Sequence, residues 1–289
     1  MTNRKLKKRI TASLAALITV IGAGLGINEL NTEKSPERQK AKGNIEIHYM
    51  DVGQGDATLI KCGEAAMLID AGENDKGSEV WSYLKSQNVT KLDYVIGTHP
   101  DSDHIGGMDV IVYKFDCENI FMSTYKKDTR TYEDVLEAAK SKSYKITYPK
   151  PGEIYTLGEA TFTIVAPNEE YDDANNASIG IYLKFGDTSF LFTGDAEYTA
   201  EEDILASGFN IDADVYKAGH HGSRTSSSDE FLEAVTPKYV VVSCGEDNSY
   251  GHPHAAILNY CRMNKIPLYR TDKQGTIVLK SDGENIEWN

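Results

Sequence analysis

Basic residues are in deficit along most of this chain. Its 289 residues hold 30 Lys and Arg against 44 Asp and Glu, a formal net charge of −14. Residues 1 to 43 carry nine Lys/Arg and three Asp/Glu, which leaves 21 and 41 for residues 44 to 289, so the body stands at −20 and the head at +6. A surface that acidic is a poor sequence-independent clamp for a polyanion, because neutralising phosphates takes clustered Lys and Arg, and this disfavours an ordinary DNA-binding module. Long apolar runs are scarce too: after Ile27 none is long enough to span a bilayer, which excludes a multi-pass protein. Cysteine occurs four times, at Cys62, Cys117, Cys244 and Cys261, without C-x-x-C spacing. A body of this length has core enough to do without disulfides, and the four read as small buried apolar side chains. No internal repeat or low-complexity tract is present, so repeat architectures drop out. What remains, at 40% hydrophobic and 26% charged, can bury a full core in one large domain or two small ones.

The head is a basic flank, Asn3-Arg4-Lys5-Leu6-Lys7-Lys8-Arg9, followed by an uncharged run from Ile10 to Ile27 rich in Ala, Leu, Ile, Val and Gly. The run fits a short membrane anchor or a long signal-peptide core, and both readings send the body across a membrane. The positive flank stays on the cytoplasmic side, so the body is expected outside, secreted or anchored. Cleavage would fall around Ala23 and Gly24, although no clean A-x-A pattern marks it. Residues 28 to 43, with Pro36 among charged neighbours, read as a solvated linker, and 44 to 289 as the folded domain.

From Asn44 the pattern switches to short apolar or alternating runs divided by Gly and Asp. Strands are predicted at 45–50, 57–61, 66–69, 94–98, 161–165, 179–185, 189–193, 239–243 and 276–279, with a hairpin turn at Phe185-Gly186-Asp187-Thr188-Ser189. Helices are predicted at 78–87, 131–141, 199–206, 228–234 and 254–263. Strands in meanders that later alternate with helices point to sheet faces covered by helices.

The stretch that carries chemistry is Thr98-His99-Pro100-Asp101-Ser102-Asp103-His104-Ile105-Gly106-Gly107. It follows a predicted strand, so four ligand-type side chains within six residues sit on a turn at a strand end. Imidazoles and carboxylates so spaced can converge on one or two divalent ions, and Gly106-Gly107 lets the next helix start close to them.

This His-x-Asp-x-Asp-His-x-Gly-Gly pattern resembles the signature of the metallo-β-lactamase superfamily, whose common form is His-x-His-x-Asp-His. Further stretches strengthen the resemblance: Tyr49-Met50-Asp51-Val52-Gly53-Gln54-Gly55-Asp56-Ala57, Leu68-Ile69-Asp70-Ala71-Gly72 and Phe192-Thr193-Gly194-Asp195. Lys217-Ala218-Gly219-His220-His221-Gly222-Ser223 and Tyr250-Gly251-His252-Pro253-His254 complete the set. In this order they are similar to the hydrolase domain of the ComEC family of DNA-uptake channels, here as a stand-alone exported form covering essentially all of residues 44 to 289.

The resemblance implies an α/β fold, the superfamily's αβ/βα sandwich, and one or two divalent ions. It implies His99, Asp101 and Asp195 around one ion. Around the other it implies Asp103, His104, Asp195 and either His220 or His221, of which His221 is preferred. Two departures matter: Asp101 replaces the second His of the common signature, and Asn175-Asn176-Ala177-Ser178 occupies the region of the middle His ligand. Both trade nitrogen for oxygen, so Mn²⁺ and Mg²⁺ compete with Zn²⁺, and lactam hydrolysis is not expected.

The remaining polar residues carry two readings each. Asp103, His252 and His254 are the catalytic candidates, the two histidines serving substrate or leaving group, or else capping a helix or facing solvent. Ser223, with Arg224, Thr225 and Ser226, either binds a phosphate or forms an exposed loop. Asn176 and Ser178 orient water or line the metal pocket; Asp70 supports a ligand by hydrogen bonding. Asp51, Gln54 and Asp56 form a turn that structural chemistry alone could explain. The leading expectation is a metal-dependent hydrolase outside the cytoplasm that cleaves a phosphoester through a metal-activated hydroxide, with single- or double-stranded DNA as candidate substrate. The alternatives are a small-ester phosphodiesterase, resembling the choline-phosphate esterases of teichoic acid, and a non-catalytic binding module that keeps the fold. An uncleaved head would add the membrane as a partner, and no protein partner is implied.

Overall fold

In the strand Ile45–Tyr49 (β1), Ile45, Ile47 and Tyr49 face one way and Glu46 and His48 the other, the period of two that an extended chain dictates. The computed structural model describes residues 43–289, where such alternation builds two sheets. The expected signal or anchor at 1–27 and the linker, up to residue 42, lie outside the described residues.

β2 (Thr58–Cys62) and β3 (Ala65–Ile69) continue from β1 as antiparallel neighbours; α1 (Gly77–Ser86) then leads to β4 (Lys91–Gly97), parallel to β3. The short α2 (Ser102–Ile105) and α3 (Met108–Lys114) lead to β5 (Asp116–Met122), and α4 (Arg130–Ser141) to β6 (Ile146–Thr147), both added in parallel. The second sheet starts as an antiparallel meander of β7 (Ile154–Leu157), β8 (Ala160–Ala166), β9 (Gly180–Phe185) and β10 (Thr188–Phe192). It continues with α5 (Tyr198–Ser207), β11 (Val215–Lys217), α6 (Asp229–Val235), β12 (Tyr239–Val242), α7 (Ala255–Asn264) and β13 (Leu268–Arg270), these strands running parallel to β10. After the single turn α8 (Thr271–Gln274), β14 (Ile277–Ser281) and β15 (Ile286–Trp288) return to the first sheet beside β1. The strand orders are 15-14-1-2-3-4-5-6 and 13-12-11-10-9-8-7.

Three apolar layers follow. Ile60, Met67 and Ile69 of the first sheet meet Phe162, Ile181, Leu183 and Phe190 of the second between the sheets. Leu59, Leu68 and Val95 face the other way, onto Val80 and Leu84 of α1, Ile111 of α3 and Val135 of α4. Tyr182 and Leu191, outward from the second sheet, meet Ile204 of α5, Phe231 of α6 and Ile257 of α7. This is the αβ/βα sandwich expected from the sequence. All four cysteines are free and buried. Among the described residues no helix is long and apolar enough to cross a membrane.

The expected strands and helices are present with ends shifted by up to three residues, and the hairpin closes between Phe185 and Thr188 with Gly186 at φ +59°. β5, β6, β7, β11, β13 and β15 have no legible counterpart in the sequence. β11 and β13 are three residues long, and β5 opens on Asp116, Glu118 and Asn119, so their neighbours rather than their own pattern decide them. α3 goes the other way: Val110-Ile111-Val112 favours a strand locally, but burial of Met108, Ile111 and Val112 against the first sheet holds it helical.

His48 on β1 is buried, with Nδ1 2.8 Å from the Tyr83 hydroxyl of α1, and burial pushes its imidazole down to about 4. Between there and its ordinary 6.5 the unfolded chain binds the proton that the folded chain refuses, so stability falls as pH drops through that window. Urea unfolding at pH 7 and pH 4.5 should show His48→Gln losing about 2 kcal/mol less than the parent.

Candidate metal centre

Parallel strands bring their carboxyl ends to one edge of a sheet, and here the ends of β3, β4, β10 and β11 deliver Asp70, His99, Asp195 and the His220-His221 pair. The turn after β4 is clamped by backbone contacts: Asp56 N donates to Asp103 O at 3.1 Å and Ala71 N to His104 O at 2.7 Å. A Cβ on Gly55, at φ +138°, would collide with the Asp103 carbonyl oxygen, so only glycine lets residues 55 and 56 lie against this turn. Gly106 is equally confined, by Ser102 O and Asn74 N, which is the close helix start that Gly106-Gly107 predicts.

After β11, His220 (φ 48°, ψ 49°) and His221 (φ 52°, ψ 26°) adopt the left-handed region in succession, a conformation costing about 1 kcal/mol or more per residue. The bonds from Gly219 N to the Tyr216 hydroxyl (2.9 Å) and from His220 N to Gly194 O (3.1 Å) hold it. In consequence His221 is buried, whereas His220 stands at the rim with Nδ1 3.1 Å from Glu197 Oε1 and Nε2 3.7 Å from Asp195 Oδ2.

His104 and His221 meet at the centre. His221 Nδ1 donates to the Ser243 carbonyl (3.0 Å), and His104 Nδ1 to Asp70 Oδ2 (2.8 Å). With both Nδ1 atoms acting as donors, the two Nε2 atoms, 3.3 Å apart, direct lone pairs at the same spot. Asp195 Oδ1 lies 3.3 Å from His104 Nε2, Asp195 Oδ2 3.4 Å from His221 Nε2, and Asp103 Oδ2 3.2 Å from His221 Nε2. Behind the imidazoles Asp56 approaches the Nδ1 side, 3.6 Å from His221 and 3.9 Å from His104, and is ion-paired to the buried Lys217. One ligand atom from each of Asp56, His104, Asp195 and His221 fits within 4.8 Å of the others.

The electrostatics call for a cation. Burial opposes charge on His104 and His221, yet Asp195 and Asp103 around the first, and Asp195 and Asp56 around the second, hold both well above the usual histidine range. Burial would raise Asp195, but His104 and His221 hold it well below the carboxylate range; the half-buried Asp103 is lowered by the same two histidines to about 2. A divalent ion supplies that positive charge while leaving the imidazoles neutral, and the donor set of two Nε2 atoms with two carboxylates suits it. His99 adds to the fit. Thr98 Oγ1 donates to Asp70 Oδ2 (2.7 Å) and so accepts from His99 Nδ1 (3.2 Å), which leaves the buried His99 Nε2 as a lone pair without a partner, as is Asp195 Oδ1. Burial, then the neighbouring His104, lowers the His99 imidazole to about 4.

Asp70 and Ser178 brace candidate ligands, Asp70 through the hydrogen bond the sequence suggests and Ser178, expected to orient water or line the pocket, through its hydroxyl. Asp70 takes the Thr98 N–H (2.8 Å) as well as His104, while Ser178 Oγ takes the Asp195 N–H (3.1 Å) and lies 3.3 Å from His99 Nδ1. Other expected site residues are placed differently. Asp101 Oδ1 is ion-paired to Lys127 at 2.8 Å, because it sits partly exposed at the start of α2 within reach of that ammonium. The Asn176 carbonyl oxygen accepts from Glu197 N and Ala200 N and so caps α5 rather than lining the pocket. Asp51 closes a local turn onto Gly53 N, and Ser223 one onto Thr225 N. His254 Nδ1 accepts from Arg224 N (3.0 Å), whereas His252 packs 5.5 Å from His220 and 6.1 Å from His221 between ring centroids. Burial, reinforced by those histidines, lowers His252 to about 4, and its buried Nδ1 has no partner.

Sequence reasoning leaves Asp56 as turn chemistry and gives Lys217 no role. The available signal is a lysine closing an apolar strand just before the His pair, since a fully buried ammonium demands a carboxylate. Burial alone would raise Asp56, but Lys217 first, then His221 and His104, holds it well below the carboxylate range. Lys217→Met strands that carboxylate and should cost about 3–5 kcal/mol in urea unfolding, with Asp56→Asn added to it recovering part of the loss. Asp70→Asn, which keeps the left-handed backbone at φ 58° but loses the charge behind His104, should weaken metal affinity about 10–100-fold in a chelator competition titration.

Comparison with known proteins agrees with the geometry. Residues 50–246 match the metallo-beta-lactamase superfamily. The ComE operon protein 3 of Bacillus subtilis is 31% identical over 252 residues, covering 80% of this chain and 32% of the relative. Competence protein ComA of Neisseria gonorrhoeae is 30% identical, covering 93% of this chain and 38% of the relative. The chain thus spans about a third of the length of these curated relatives, and the ComEC-like similarity of its motifs extends over most of its own length. Among solved structures, the metallo-beta-lactamase fold protein YhfI from Bacillus subtilis superposes with a TM-score of 0.55 at 14% identity, over 83% of this chain and all of that one. CmlA, a diiron beta-hydroxylase from Streptomyces venezuelae, gives 0.53 at 14% identity, over 79% of this chain and 53% of that one. A buried Asp–His centre at the strand ends of an αβ/βα sandwich and a family match across residues 50–246 have one common explanation: the chain belongs to the metallo-β-lactamase superfamily.

Proposed function

We propose that this chain is a phosphodiesterase whose substrate is DNA, acting on the outer side of a membrane. Its superfamily and its Asp–His cluster support the coarser reading, a metal-dependent hydrolase. The observation that carries it is the convergence of His104 Nε2 and His221 Nε2, 3.3 Å apart, between the carboxylates of Asp103 and Asp195. DNA enters through relatives named competence protein and recombination protein. The basic flank and apolar run of residues 1–27 support export of the body.

His104, His221, Asp103 and Asp195 would hold one divalent ion, and His99 with Asp195 would contribute to a second. Such ions, Zn²⁺, Mn²⁺ or Mg²⁺, lower the pKa of water and stabilise charge developing on phosphoryl oxygens. The chain's own residues do the rest. Asp70, Ser243 and Ser178 fix the rings and the Asp195 backbone, so the ligand atoms need no reorganisation when substrate arrives. His252 is neutral near pH 7, so a ring nitrogen can take a proton from, or donate an N–H to, a substrate oxygen at the rim. His254 positions the Arg224 backbone beside it.

The body's charge of −20 favours a second reading, a phosphodiesterase of small esters that meets its substrate mainly at the ions. With Mn²⁺ supplied, the chain should cleave bis-p-nitrophenyl phosphate and Asp103→Ala should lower the rate about 100-fold or more. An unchanged rate would remove Asp103 from the centre. Plasmid DNA compared with choline-phosphate esters at several salt concentrations separates the two readings, and hydrolysis of the ester alone would overturn the DNA assignment.

A further inference from the structure

A groove of about 400 Å³ opens at the metal centre, the size of a small-ligand cleft. Asp101 and Asp103 line it together with Lys127 and Tyr250. Tyr250 is 64% exposed, unusual for so large a ring beside a buried centre. One of its faces stacks on His252, at 5.6 Å between centroids and 20° between planes, and His252 stacks in turn on His221 at 6.1 Å and 28°. The ring is therefore backed by a column that ends on the candidate metal-binding imidazole of His221, and its exposure leaves surface for a further stacking partner. Lys127 is fixed by its 2.8 Å pair with Asp101 while staying 41% exposed, so a positioned ammonium borders the same groove in a body that is otherwise acidic. Glu73 and Asp75 also line the groove and discourage a longer run of phosphates, while Lys76 on the same wall is paired to Glu79 at 3.2 Å.

We infer that this groove is a nucleotide subsite, an inference resting on the phosphodiesterase reading above: Tyr250 stacks on a base and Lys127 meets the adjoining phosphate. In a duplex both faces of an interior base are already stacked, so only an unpaired or terminal base can stack on the exposed Tyr250 ring. The centre consequently takes single strands or frayed ends in preference to the paired interior of a duplex.

Fluorescence anisotropy on the full chain, with Ca²⁺ in place of the catalytic ion, tests this using labelled oligothymidylate, an abasic oligomer of equal length and a duplex. The parent should bind oligothymidylate more tightly than either of the others. Tyr250→Ala should weaken oligothymidylate binding about tenfold and abasic binding less than twofold, while Tyr250→Phe retains both. Lys127→Gln should weaken both single-stranded probes and flatten their salt dependence. A parent that prefers the duplex, or a Tyr250→Ala change that is equal for both single strands or absent from both, overturns the subsite. Hydrolysis of the same probes with Mn²⁺ is read separately. Tyr250-dependent binding without cleavage would sink the phosphodiesterase reading and leave the subsite standing; cleavage with Tyr250-independent binding would do the reverse.

Discussion

Negative charge crowded into one buried pocket is the constraint on which the rest of this structure depends. Asp56, Asp70, Asp103 and Asp195 surround His99, His104 and His221, and among the described residues Lys217 is the one ammonium paired with these carboxylates. Carboxylates taken out of water at such proximity are tolerated only when cations or hydrogen-bond donors answer them. Lys217 answers Asp56, and the Thr98 N–H and His104 answer Asp70, which leaves Asp103 and Asp195 facing two imidazole lone pairs. That remainder is what makes the pocket a cation site rather than a polar core, and it explains why two buried histidines are driven well above their ordinary range.

The fold makes the crowding possible. Strands from two sheets end at the same edge, so residues as distant in sequence as His104 and His221 arrive within hydrogen-bonding reach on independent supports. Three candidate ligands are held from behind: His104 by Asp70 at the end of β3, His99 by Ser178 before β9, and His221 by the Ser243 carbonyl just after β12. The His220-His221 turn, left-handed at two successive residues, is a strained member of this assembly. Its strain is sustained by backbone bonds from Gly219 and His220, and without it His221 could not enter the pocket from the end of β11.

Beyond the pocket the charge changes meaning with position. The +6 head supports the proposed export of the body, and the acidic body weighs against a long electrostatic track for a polyanion. At the groove beside Asp103 the acids are interrupted by Lys76, by Lys127 and by the exposed ring of Tyr250. Recognition there would rest on one or two local contacts and on the bound ions instead of on a field spread over the surface, which suits a short or unpaired substrate segment better than a duplex.

Much was legible in the sequence because it is local. The His99 to Gly107 turn carries four ligand-type side chains within six residues, Gly106-Gly107 announces a tight helix start, and apolar alternation marks the central strands of both sheets. The short edge strands β6, β7, β13 and β15 lack such a pattern, since their neighbours decide their pairing. Side-chain destinations are likewise not local: Asp101 and Asp103 are two residues apart on one turn, yet one pairs with Lys127 and the other faces His221. Asn176 looks like a pocket residue until α5 arrives to be capped by it, and Asp56 looks like a turn residue until Lys217 is buried against it. The sequence by itself determined which residue types were available and that strand ends would present them. Only the tertiary structure decided which of them share a buried volume, because desolvation and pairing energies belong to contacts between segments more than a hundred residues apart.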